Sequence, residues 1–137
     1  MQKLKNLALY REIRRDAFCS EPPSLDDYKY VLSEDRAEEI VQYLESGFIL
    51  REYVSPIRDP YDQNDLVPFV IYTDGIYVWY GVTINWVRKY RVALPEEFLK
   101  HYYMVKNNPN FLKNIDYDKI YDKWYEDEDI EEIFMEE

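Results

Sequence analysis

Between Ser33 and Gly47 the apolar residues Ala37, Ile40, Val41 and Leu44 fall at i, i+3, i+4 and i+7, which on a helix is one face. Ser33 is placed to cap that helix, because its hydroxyl can accept a first-turn amide. Glu34 and Asp35 put negative charge at the positive end of the helix dipole. Gly47 is expected to close the helix in the left-handed conformation that glycine adopts freely. The period then changes from helical to alternating. Phe48 to Val54 reads as a strand, and the turn-rich run from Ser55 to Asp65 as a loop.

The densest apolar stretch, Pro68 to Gly81, is broken only by Asp74-Gly75 and its flanking threonine. Asp-Gly favours a two-residue type I′ turn, which needs positive φ at both central positions. The spacing therefore predicts a hairpin of Phe69–Thr73 and Ile76–Tyr80, with Thr73 opposite Ile76 and Tyr72 opposite Tyr77. One face collects Phe69, Ile71, Thr73, Ile76, Val78 and Tyr80, and the other Val70, Tyr72, Tyr77 and Trp79. Neither face is polar, so the hairpin needs cover on both sides.

Helices are expected to supply it. Gln2 to Phe18 reads as a helix ending before Ser20-Glu21-Pro22-Pro23, where two prolines remove backbone donors. Thr83 is placed to cap a short helix carrying Trp86, Val87 and Tyr90. Pro95 suits the first position of another with Phe98, Leu99 and Tyr102 buried, ending at Asn107 to Asn110. A last helix is predicted over Asp116 to Glu126, with Tyr117, Ile120, Tyr121 and Trp124 on one face. Beyond it like charges crowd, and residues 126–137 are expected to fray. The pattern as a whole predicts one α+β domain over residues 1–137. Its core is a short antiparallel sheet centred on a hairpin at about 69–80, packed by helices from both ends of the chain.

Composition supports a folded, water-soluble chain: 47% of residues are apolar and 33% charged. The longest apolar runs, such as Val67 to Tyr72, fall short of the roughly 20 residues a membrane helix needs. The N-terminal stretch has no apolar segment of signal-peptide length, so export through a signal peptide is not expected and the expected location is the cytoplasm. Cys19, the single cysteine, is expected to be an inert, half-buried thiol.

Charge narrows the class of partner. The net charge is −11; residues 1–20 carry five basic and two acidic side chains, whereas Asp116 to Glu137 carries eleven acidic and two basic, or −9. Nucleic acid and anionic membranes demand a positive patch, so neither is expected as a partner. A basic protein is, and the sequence leaves the oligomeric state open. The acidic end reads either as a solubilising tail or as a docking segment, since Ile130, Ile133 and Phe134 interrupt its carboxylates. On the second reading Tyr121 and Trp124 are candidate anchors, with Glu126, Asp127, Glu128 and Asp129 as the charged contacts.

Candidate chemistry is sparse. Glu97 and His101 stand four apart on a predicted helix, but two ligands without a second histidine do not make a metal site. Asp59, Asp62, Asn64 and Asp65 crowd one loop without the glycine and distal glutamate of a calcium loop, and read as a turn held by side-chain-to-backbone bonds. Three glycines cannot build a glycine-rich phosphate loop, and no serine sits in a nucleophile elbow. No metal, cofactor or catalytic residue is expected, and the reading is of a protein that is not an enzyme.

The segment Thr73 to Tyr102 resembles a box found in small acidic bacterial proteins of uncharacterised function. The box is carried here by Thr73, Asp74, Gly75, Trp79, Trp86, Val87, Tyr90, Leu94, Pro95, Glu97 and Phe98. It departs from the box at Tyr80 and Thr83, where members often have proline and leucine. The resemblance brings no catalytic residue. It implies an association with immunity proteins of bacterial toxin systems, which agrees with the charge argument. The expected function is therefore neutralisation of a basic bacterial effector by an acidic surface; the alternative is a structural or regulatory protein-interaction module.

Overall fold

A computed structural model describes residues 3–13, 22–126 and 130–135. The protein is α+β, with helices packed on a mixed sheet. Strand β1 is Lys5–Leu9, β2 Phe48–Glu52, β5 Val70–Thr73, β6 Tyr77–Tyr80 and β7 Glu131–Phe134. They lie in the order β2-β5-β6-β1-β7. The β2–β5 and β5–β6 pairs are antiparallel, but β1 runs parallel to both β6 and β7. The expected short antiparallel sheet is thus a five-stranded mixed one. A small second sheet, β3 (Ile57–Arg58) with β4 (Leu66–Val67), lies in the segments flanking the loop that carries Asp59 to Asp65.

The largest correction is at the N-terminus. The helix expected over Gln2 to Phe18 is strand β1 followed by a 3-10 turn at Arg11–Ile13; Cys19 and the last residues of that stretch lie outside the described residues. Leu4, Leu7, Ala8 and Leu9 are all buried. A strand inside a sheet with both faces covered is apolar on both sides, so it shows neither alternation nor a helical stripe of its own.

Two cores form, one per face. On one side Leu7, Leu9, Tyr77 and Trp79 pack with Ile40, Val41 and Leu44 of α1 (Glu34–Glu45). Trp86 and Val87 of α2 (Gly81–Tyr90) and Phe98 and Tyr102 of α3 (Glu96–Lys106) complete that side. On the other, Leu4, Leu50, Ile71 and Val78 pack with Ile120 of α4 (Tyr117–Glu126). The hairpin is covered on both faces, and its strand residues divide between them as their alternation predicts; Ile76, expected on the face of Ile71 and Val78, instead packs against the larger core, because it belongs to the turn and not to β6. No helix among the described residues is long and apolar enough to cross a membrane.

The hairpin register differs by two. Thr73 faces Val78, Tyr72 faces Trp79 and Ile71 faces Tyr80. The Asp74 amide donates to the Tyr77 carbonyl at 3.3 Å, so Gly75 and Ile76 are the central turn residues. Only Gly75, at φ 97°, is left-handed there, which excludes type I′. A two-residue shift preserves the faces, because strand periodicity is two.

Helix boundaries follow their caps. Ser33 Oγ accepts the Arg36 amide as expected, but α1 ends in ordinary right-handed geometry at Ser46, and Gly47 has no positive φ. Gly47 serves close packing instead: a Cβ there would lie 2.7 Å from Trp79 Cζ2. Trp79, fully buried, donates its indole N–H to the Leu44 carbonyl at 3.0 Å. Helix α2 begins at Gly81, directly from β6, so Thr83 is an interior, buried helix residue and not a cap. Pro95 stands one position before its expected place, as the N-cap of α3, where its carbonyl accepts the Phe98 and Leu99 amides. Leu99 is only partly buried, while Phe98 and Tyr102 are buried with His101 and Val105. The segment expected to fray contains β7, whose Ile133 is buried against the β1 side of the larger core.

Candidate functional site

Asp74 is the centre of a buried carboxylate constellation. Its Oδ1 accepts the Ile76 and Tyr77 amides at 3.0 and 2.9 Å, and its Oδ2 accepts the Tyr43 hydroxyl and His101 Nε2, each at 2.6 Å. The carboxylate has no proton to give, so Nε2 carries the hydrogen. Burial by itself raises the Asp74 carboxyl. The His101 hydrogen bond and charge, with the Tyr43 and Tyr77 bonds, outweigh it and hold the group below the usual range. Burial pushes the Tyr43 phenol far up, reinforced by the Asp74 charge. All four acceptor positions are filled, so the arrangement ties α1, the hairpin and α3 together. Around His101 stand the rings of Tyr77, Phe98 and Phe111.

The sequence pairing of Glu97 with His101 is replaced by separate partners. Glu97 Oε2 accepts the Tyr77 hydroxyl at 2.8 Å and Lys5 Nζ at 3.2 Å. Nothing local points to Tyr43 and His101 as partners of Asp74, since those two bonds span 31 and 27 positions.

Asp59 is the second buried carboxylate. Its Oδ1 accepts Trp86 Nε1 and the Tyr61 amide at 2.9 and 2.8 Å, and its Oδ2 accepts Asn85 Nδ2 at 2.9 Å. Asp65 turns to Asn85 and Lys89, and Asp62 accepts the Asn64 amide. The loop is a turn held by its own side chains, anchored to α2. Among the described residues no group of three or more His, Cys, Asp or Glu is placed to hold a metal.

The remaining candidate is the surface formed by α4 and β2, an outer strand of the sheet. Ile120 turns inward, and Tyr121 and Trp124 lie half-buried against the smaller core, so each is at once support and rim. Tyr125, 66% exposed, stacks on Tyr121, and Glu126 is exposed beside it. Asp127, Glu128 and Asp129 lie outside the described residues. On β2, Phe48 stacks on Tyr117 with centroids 4.6 Å apart. Just beyond, Tyr53 stacks on Phe69 at 4.2 Å. Arg51 hydrogen-bonds the Tyr53 hydroxyl at 3.4 Å and lies near enough to Tyr121 and Tyr125 to couple with them electrostatically. Phe48, Ile49, Tyr53 and Val54 are all exposed, and the sequence pattern alone does not single them out as a surface. Their signal was the imperfect alternation of Phe48 to Val54: a strand apolar on both faces yet bearing Arg51 and Glu52.

No family model matches the chain, and neither does any curated protein or solved structure.

Proposed function

We propose that the protein is a non-catalytic acidic binding protein of the immunity type, which neutralises a basic bacterial effector in the cytoplasm by covering it. The reading rests on one observation above others. The stretch from Asp116 to Glu137 bears eleven acidic and two basic side chains, and helix α4 within it presents Tyr125 and the rims of Tyr121 and Trp124 at the surface. Opposite charge steers encounter, and partly desolvated aromatic residues hold a complex once formed. The resemblance of Thr73 to Tyr102 to the acidic bacterial box points the same way.

The test is association with a basic effector encoded beside this gene. Reversing Glu126, Asp127, Glu128 and Asp129 to lysine should slow association about tenfold or more at low salt, and added salt should slow the unmodified protein, since charges are screened beyond about 8 Å at physiological ionic strength. Trp124→Ala should speed dissociation. An association rate indifferent to both salt and charge reversal would reduce the acidic end to a solubilising tail.

A further inference from the structure

Helix α4 runs beside β2, and its sequence sorts its side chains into rows. Tyr117, Tyr121 and Tyr125 stand at i, i+4 and i+8, on the flank that meets Phe48 and Arg51. One residue further round, and further from the sheet, stand Asp118, Asp122 and Glu126, also at i, i+4 and i+8 and all exposed. Lys119 and Lys123 lie one residue further again, on the flank away from β2. The tyrosine row therefore borders the outer strand, with the carboxylate row next to it on the solvent side and the lysines turned away.

The spacing of the rows is informative. A helix rises about 1.5 Å per residue, so members of a row are about 6 Å apart. In an extended chain, side chains on one face are about 6.6 Å apart, because each residue advances about 3.3 Å. A strand laid along β2 would thus carry alternate side chains in step with the rows. A cation in each such position would meet a carboxylate and a tyrosine ring together, gaining an ion pair and a cation–π contact.

We propose, resting on the reading of a basic partner, that this partner docks through an extended segment with lysine or arginine at every second position. The segment adds to the outer edge of β2 and lays its cations over Tyr117, Tyr121 and Tyr125 against Asp118, Asp122 and Glu126. The apolar residues of its alternate positions cover Ile49 and Val54, which are 45% and 103% exposed. A second copy is a poorer occupant, because two chains of charge −11 repel. Arg51 is the one cation of β2 on this path, and it works against the docked strand.

The experiment uses short synthetic peptides and the full-length protein, with binding followed by tryptophan fluorescence and titration calorimetry at low salt. One peptide has lysine at every second position; a second has the same composition with its lysines consecutive; a third is the first with alternate backbone amides N-methylated. The alternating peptide should bind about tenfold or more tightly than the other two. Arg51→Glu should tighten it several-fold. Asp118→Lys with Asp122→Lys should weaken it about tenfold or more, and Lys119→Glu with Lys123→Glu should change it far less. Circular dichroism of each variant separates lost binding from lost fold. If the consecutive-lysine peptide binds equally well and the Lys119 and Lys123 reversals matter as much as Arg51→Glu, the acidic-binding reading stands and strand addition is wrong. If no peptide binds, strand addition is wrong as well, and the effector measurement decides the broader reading.

Discussion

His101 Nε2 lies 2.6 Å from Asp74 Oδ2, and both side chains are buried. Together with the Tyr43 hydroxyl on the same oxygen, this contact joins two helices to a turn that neither adjoins in sequence. Asp74→Asn removes a charge that four donors surround and turns one donor site against another. It should destabilise the protein by about 3 to 5 kcal/mol, measured by urea denaturation. Unchanged stability would show the cluster to be incidental.

The same carboxylate sets a pH dependence. Its folded pKa is below the ordinary value, so its stabilisation is complete above about pH 5, where the unfolded group is also ionised. As pH falls below that, the unfolded chain binds the proton first and stability declines until the folded group titrates as well. Thermal unfolding between about pH 2 and pH 5 should therefore show a steeper acid limb in the wild type than in Asp74→Asn. Equal slopes would mean that other carboxylates govern acid unfolding.

Gly75 is left-handed at φ 97°, and a Cβ there would lie 3.0 Å from both Cδ1 and Cγ2 of Ile115. Gly75→Val should cost about 1 to 3 kcal/mol, from backbone strain and from this contact. Adding Ile115→Ala removes the clash and leaves the φ penalty, so the double variant should not regain wild-type melting. Full recovery would assign the whole effect to sterics.

Asp59 satisfies Trp86 Nε1, the Tyr61 amide and Asn85 at once. Asp59→Ala strands buried donors and should destabilise by about 2 to 4 kcal/mol in thermal denaturation. Because its oxygens are engaged by the protein, calcium at millimolar concentration should leave the melting temperature of the wild type in place. A calcium-dependent rise abolished by Asp59→Ala would make this loop a metal site after all.

The acidic end contributes to the sheet as well as to the surface. Ile133 is 7% exposed, and the Met135 amide donates to the Leu9 carbonyl at 2.8 Å. Ile133→Ala should cost about 2 to 4 kcal/mol. The Met135 amide should exchange its hydrogen far more slowly than an unstructured one. Exchange at the unprotected rate would return this stretch to a solvated tail.

Local chemistry alone determined α1, whose apolar face and serine cap coincide, and α4, whose Ile120, Tyr121 and Trp124 face the smaller core as their spacing predicts, while Tyr117 stacks on Phe48 at its margin. It also determined which hairpin residues other than Ile76 share a face, because strand alternation survives a register shift of two. Tertiary structure decided the rest. Lys5–Leu9 became a strand because parallel partners on both sides and cover on both faces were available to it, and those come from residues more than 70 and 120 positions away. The turn lies at Gly75-Ile76, where the Asp74 carboxylate accepts the neighbouring Ile76 and Tyr77 amides and also the Tyr43 and His101 donors; the last two are bonds that no nearby residue announces. For the candidate surface, the sequence supplied the charge and the tyrosine rows of α4, both set by composition and helical period. That β2 would lie beside those rows as an outer strand followed only from the order of the sheet, which long-range pairing fixes and local propensity does not.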